Sequence, residues 1–102
     1  MKYQLVLQWS VSSLEDFDAL IDIEFNLEEI LDPQHEVDGH DMGTGEMNIF
    51  IHTRDPESLL QPLRDLLVSK ERWDGVRIAY RKFSDEDFTV MWPVDLSSFD
   101  IL

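Results

Sequence analysis

Side chains alternate over residues 2–10, where Tyr3, Leu5, Leu7 and Trp9 fall on one side and Gln4, Val6 and Gln8 on the other. A period of two belongs to an extended chain, so this stretch predicts a half-buried strand. The period then changes. Leu14, Phe17, Leu20, Ile21, Leu27, Ile30 and Leu31 recur at helical spacing after a candidate cap at Ser12 or Ser13. Glu15 and Asp16 stand in the first turn, where the helix dipole favours anions. Residues 21–27 also alternate and compete as a strand, but the length of the stripe and its continuation to Leu31 predict a helix. Asp32-Pro33 ends it, because the residue before a proline is pushed out of the α region.

Residues 37–53 predict two strands folded about a glycine turn. Gly39, Gly43 and Gly45 punctuate the first arm and the turn, and in the second arm Met47, Ile49 and Ile51 alternate with Asn48, Phe50 and His52. Asp55-Pro56 reads as a helix start, with Leu59, Leu60, Leu63, Leu66 and Leu67 as the buried stripe. Pro62 lies too deep for a first turn that begins at Pro56, which predicts a kink or a late start. Asp74-Gly75 turns the chain into a strand over residues 76–83, where Val76, Ile78 and Tyr80 alternate with Arg77, Ala79 and Arg81. After a polar turn at 84–87, Phe88, Val90 and Trp92 mark a last strand that Pro93 stops. Residues 94–102 keep Leu96, Phe99, Ile101 and Leu102, so this apolar C-terminal tail is expected to pack back or to sit at an interface.

The order strand, helix, hairpin, helix, hairpin resembles the ferredoxin-like βαββαβ pattern with one extra C-terminal antiparallel strand. The resemblance is one of topology. It implies a single-domain α+β sandwich over residues 1–102, with two helices on one face of an antiparallel sheet and the other face open. Many unrelated functions share that fold, so function has to come from the residues.

A chain of 102 residues has room for one core, and the absence of cysteine removes disulfides, thiolate metal sites and cysteine nucleophiles. The net charge of −14 is unevenly placed. No lysine or arginine occurs between Tyr3 and Thr53, against twelve acids; with Lys2 the first 53 residues carry −11, and residues 54–102 carry −3. Such a density repels phosphate backbones and anionic membranes, so neither nucleic acid nor membrane is an expected partner. A cationic partner is attracted, with an association rate that falls as salt rises. The first ten residues carry one lysine and alternate, unlike a signal peptide, and no apolar run approaches the roughly 18 residues of a membrane span, so a cytoplasmic protein is expected.

Two of the three histidines lie in the hairpin. His35, Glu36, Asp38, His40 and Asp41 fall within seven residues, a ligand chemistry suited to zinc, manganese or iron. On a straight strand Glu36, Asp38 and His40 point one way, with His52 across the hairpin, and Asp38 and His40 are the metal candidates. No HExxH occurs, and a calcium loop opened at Asp38 lacks acids at its third and fifth positions, so a solvated edge strand with no metal or cofactor is the expectation. Gly43-Thr44-Gly45 precedes a strand, where no helix terminus supplies aligned N–H groups to a phosphate. No GxSxG is present, and Ser10, Ser12, Ser13, Ser58 and Ser69 fit turns, caps and helix ends.

The first helix is the most polarised element. Like charges four residues apart, Asp18 with Asp22 and Glu24 with Glu28, each cost about 0.2–0.5 kcal/mol, and no lysine offsets them. The reading this favours is a non-catalytic acidic binding protein. It presents Glu15, Asp18, Asp22, Glu28 and Glu29 of the helix and Glu36, Asp38 and Asp41 of the hairpin to a basic protein partner, a composition it shares with inhibitors and immunity proteins. The alternative is a small homodimeric enzyme or ligand-binding domain that uses the open sheet face, with Phe50, His52, Arg77 and Arg81 as ligand or dimer contacts.

Overall fold

The sheet is organised about β1 (Tyr3–Ser10), which pairs antiparallel with β3 (Glu46–Thr53) on one side and β4 (Arg77–Lys82) on the other. β2 (His35–Gly43) and β5 (Thr89–Trp92) form the two edges, giving the order β2-β3-β1-β4-β5 with every pairing antiparallel. The computed structural model describes residues 2–11, 13–43 and 45–101. Ser12, the other candidate cap, Thr44 of the glycine turn and Leu102 of the tail lie outside the described residues.

α1 (Leu14–Ile30) begins at Ser13, whose hydroxyl accepts the Asp16 N–H at 3.2 Å, satisfying one of the donors left over at a helix start. Leu20, Ile23, Glu24 and Leu27 are its buried positions. Two members of the expected stripe are not, Leu14 at 77% and Ile30 at 53% exposure, while Leu31 at its end packs against the core. Pro56 opens a 3₁₀ turn (Pro56–Leu59) rather than the α-helix itself, and Asp55 makes no side-chain cap bond. α2 (Leu60–Ser69) therefore starts late, with Pro62 in its first turn, where a missing N–H breaks no intrahelical bond. Its last turn closes with Arg72 N–H donating to the Leu67 carbonyl at 2.8 Å and Glu71 N–H to the Val68 carbonyl at 3.1 Å.

Both helices bury their stripes on the same sheet face. Leu20, Ile23 and Leu27 of α1 and Leu63 and Leu67 of α2 join Leu5, Leu7, Trp9, Met47, Ile49, Ile51 and Ile78 in one cluster. Burial of each such aliphatic side chain contributes about 1.5–3 kcal/mol, which makes this layer the main source of stability. Trp9 Nε1–H donates to the Arg72 carbonyl at 2.9 Å and so fixes the end of α2 to β1. Among the described residues no helix is long and apolar enough to cross a membrane.

The second face differs from expectation. Alternation in β1 predicts one wet side, yet Val6 and Gln8 are as buried as Leu5 and Leu7. The cause is the C-terminal segment. Phe99 packs on Val6 and Ala79, with Phe50, Phe88, Val90 and Leu96 around it, and the Phe88 and Phe99 rings lie 5.0 Å apart. The face is thus covered at its centre rather than open.

Candidate functional site

On α1, Asp18, Asp22, Phe25 and Glu29 follow one another at intervals of four, three and four residues and form a single solvated ridge. Glu15 and Glu28 flank it, and Phe25 is 62% exposed at its middle. Leu14 is exposed on the same side one turn before Asp18, about 16 Å along the helix axis from Phe25. The same projection puts Leu20, Glu24 and Leu27 on the inward side, where all three are buried. Lys70 reaches Asp22 at 3.5 Å and Arg72 reaches Asp16 at 3.0 Å. Among the described residues no ion pair engages Glu15, Asp18, Glu28 or Glu29.

The hairpin acids do not extend this ridge. Register in β2 slips between Val37, opposite Ile51, and Gly39, opposite Phe50, so that Asp38 is an extra residue. Such a bulge shifts every later side chain by one position. Val37, His40 and Met42 consequently face the helix layer, opposite Ile51, Ile49 and Met47, while Glu36 and Asp41 face the other way, opposite His52 and Asn48. Gly39 takes φ +140°, which a side chain rarely tolerates, and this is why the slip occurs at a glycine. The eight partner-binding candidates therefore divide between two surfaces: five on α1, and Glu36, Asp38 and Asp41 on β2.

The bulge also sorts the histidines. His40 is turned away from Glu36 and Asp38, and its Nδ1–H donates to Glu24, 3.0 Å from Oε1 and 3.2 Å from Oε2. Its ring meets Phe17 edge-on at 5.9 Å. The expected trio of Glu36, Asp38 and His40 does not form. Instead Glu36, Asp38 and His52 come together, with one ligand atom from each within 4.8 Å of the others. His52 Nε2 lies 3.4 Å from Asp38 Oδ2, and its ring stands edge-to-face on Phe83 at 4.9 Å. His35 is held by the Thr53 hydroxyl at 2.8 Å and belongs to the edge of the hairpin.

Phe50 and His52 on β3 are separated from Arg77 and Arg81 on β4 by the intervening β1. The two arginines are four residues apart on β4, about 13 Å along a strand, with Ala79 and the Phe99 ring between them. Arg81 Nε–H donates to Gln4 Oε1 at 3.0 Å and its Nη1 to the Asp85 carbonyl at 2.8 Å, while Arg77 Nη2 lies 3.8 Å from Glu46 Oε2. Phe50 lies against the Phe99 cluster.

One buried polar group was not legible in the pattern. The Gln8 amide donates from Nε2 to Asn48 Oδ1 at 3.0 Å and to the Asp100 carbonyl at 2.9 Å, with Glu46 Oε1 at 3.3 Å. Three acceptors around Nε2 fix the orientation of the amide, and Oε1 is left buried with no hydrogen-bond partner among the described residues. Comparison of the chain with protein-family models gives no match, and comparisons with curated proteins and with solved structures give none either.

Proposed function

We propose that this chain is a non-catalytic binding protein of ferredoxin-like topology that presents the outward face of α1 to a basic protein partner, as an inhibitor or an immunity protein does. The strand order β2-β3-β1-β4, with a helix in each crossover and β5 added at the edge, supports the topological part of this reading. The functional part is carried by one observation. Phe25 is held in water at the centre of a ridge of carboxylates that are largely unneutralised. A solvated helix kept only for its inward stripe gains from lysines between its acids and gains nothing from a phenylalanine held in water. An interface anchor ringed by charge has use for both: the ring supplies buried area, and the acids supply orientation and encounter rate.

The test is capture by a photo-crosslinking residue at position 25, in the cells that make the protein, compared with a chain carrying Asp18→Lys and Glu29→Lys. The expected product is a basic protein, lost in the charge-reversed chain and diminished as salt rises toward about 0.5 M, where exposed charges are largely screened. Capture that survives both the charge reversal and the salt removes the electrostatic basis of the reading.

A further inference from the structure

We infer that Glu36, Asp38 and His52 form a binding site for one divalent transition-metal cation of the zinc, manganese or iron class. The inference is independent of the α1 ridge, because these side chains lie on the face of the β2–β3 hairpin turned away from the helix layer.

The donor set is two carboxylates and one imidazole. Its charge of −2 matches a dication, and the imidazole favours borderline metals over calcium or magnesium, which take oxygen ligands. Bonds of about 2.0–2.2 Å to a common ion put neighbouring ligand atoms about 3.0–3.5 Å apart. Asp38 Oδ2 and His52 Nε2, at 3.4 Å, already stand at that separation. Glu36 lies directly across from His52 in the β2–β3 register, and all three ligand atoms fall within 4.8 Å of one another. Rotation of one exposed carboxylate closes the remaining gap. Three protein ligands on one side of the ion leave its outer positions to water or to a group from a second molecule.

The surrounding structure holds two of these ligands in place. Phe83 braces the His52 ring edge-to-face, so the Nε2 edge is aimed at Asp38 without help from a metal. Asp38 is the extra residue of the bulge, and the glycine conformation at position 39 takes His40 out of competition by committing it to Glu24. The acidic field of the first 53 residues raises the local concentration of any dication near the site.

Calorimetric titration of tag-free protein with Zn²⁺ and with Mn²⁺ tests the site, with amide and imidazole NMR shifts to locate the ion and confirm the fold. The expected result is one ion per chain for at least one of the two metals, with the largest shifts under Zn²⁺, or the strongest paramagnetic broadening under Mn²⁺, at Glu36, Asp38 and His52. Glu36→Gln and Asp38→Asn, both at exposed positions, should each weaken binding by about tenfold or more, and His52→Ala should abolish it. Asp41→Asn, an acid on the same face outside the cluster, should leave the affinity within about twofold. Should His52→Ala fail to fold, the two carboxylate variants still decide the matter. Absence of binding by both metals, several ions per chain bound with equal strength, or affinity unmoved by Glu36→Gln and Asp38→Asn would each overturn the assignment.

Discussion

His40 Nδ1 lies 3.0 Å from Glu24 Oε1, joining the edge strand β2 to α1 through a contact between residues sixteen apart in the chain. The Glu24 side chain is 12% exposed and that of His40 35%, so the carboxylate depends on the ring for much of its polar company. Loss of one partner from a buried pair costs about 1–3 kcal/mol because the other is left desolvated. Partial exposure of His40 puts this case in the lower part of that range. His40→Ala is expected to destabilise by about 1–2 kcal/mol in urea denaturation, and Glu24→Gln, whose amide oxygen still accepts from the ring, by less. An unchanged midpoint for His40→Ala would show that the contact contributes nothing.

Gly39 offers a prediction whose sign is the point. A Cβ at this position meets no atom within 4 Å, so nothing steric opposes a side chain there. At a site with ordinary backbone angles, Gly→Ala stabilises by about 0.4–1 kcal/mol through the unfolded chain. The φ of +140° reverses that expectation. Gly39→Ala should destabilise by about 1–2 kcal/mol, with Gly39→Ser close to it, because the cost resides in the backbone rather than in packing. A stabilised Gly39→Ala chain, measured by thermal unfolding, would mean that the bulge relaxes freely.

What could be read from the sequence was what depends on period. The alternation of β1 and β3, the stripes of both helices and the stop at Asp32-Pro33 all follow from local geometry, and they give the α+β class with two helices and a five-stranded antiparallel sheet. The bulge was not legible, because residues 36–40 alternate perfectly on paper and only Gly39 marks the slip that sends His40 to the helix side. Phe25 and Glu24 could have been placed by projecting α1 at helical spacing, since each belongs to an unbroken row of its own kind of exposure. The cover on the second face was hidden for a different reason. Phe99 meets Val6 across more than ninety residues, and no local pattern encodes which face a tail will choose.

Glu71 sits just beyond the last turn of α2 with φ +59°, in the left-handed conformation that usually selects glycine there. The two closing bonds, from Arg72 to Leu67 and from Glu71 to Val68, require that conformation. A non-glycine residue there costs about 1–2 kcal/mol, part of which glycine returns to the unfolded chain as entropy. Glu71→Gly is therefore expected to stabilise by about 0.5–1 kcal/mol in denaturant titration. A destabilised variant would place the value of Glu71 in its side chain rather than its backbone.

The C-terminal segment is held to the second face through the small cluster around Phe99, and its removal has a predictable consequence. Phe99 is 7% exposed and covers Val6 and Ala79, both of which are 0% exposed. Truncation of a buried phenylalanine to alanine costs about 3–5 kcal/mol in a central core. Near a chain end the segment can peel away and limit the loss, so Phe99→Ala is expected to cost about 2–3 kcal/mol. The same change releases the hold of the Asp100 carbonyl on the Gln8 amide, whose Oε1 already lacks a partner among the described residues. A chain ending at residue 95 should therefore keep the helix-side core yet bind a hydrophobic dye and self-associate through the uncovered strip of Val6, Phe50 and Ala79. Circular dichroism separates the outcomes. Native secondary structure with new dye binding is the expected pair, whereas a truncated chain that stays monomeric and dye-free would show that this face needs no cover.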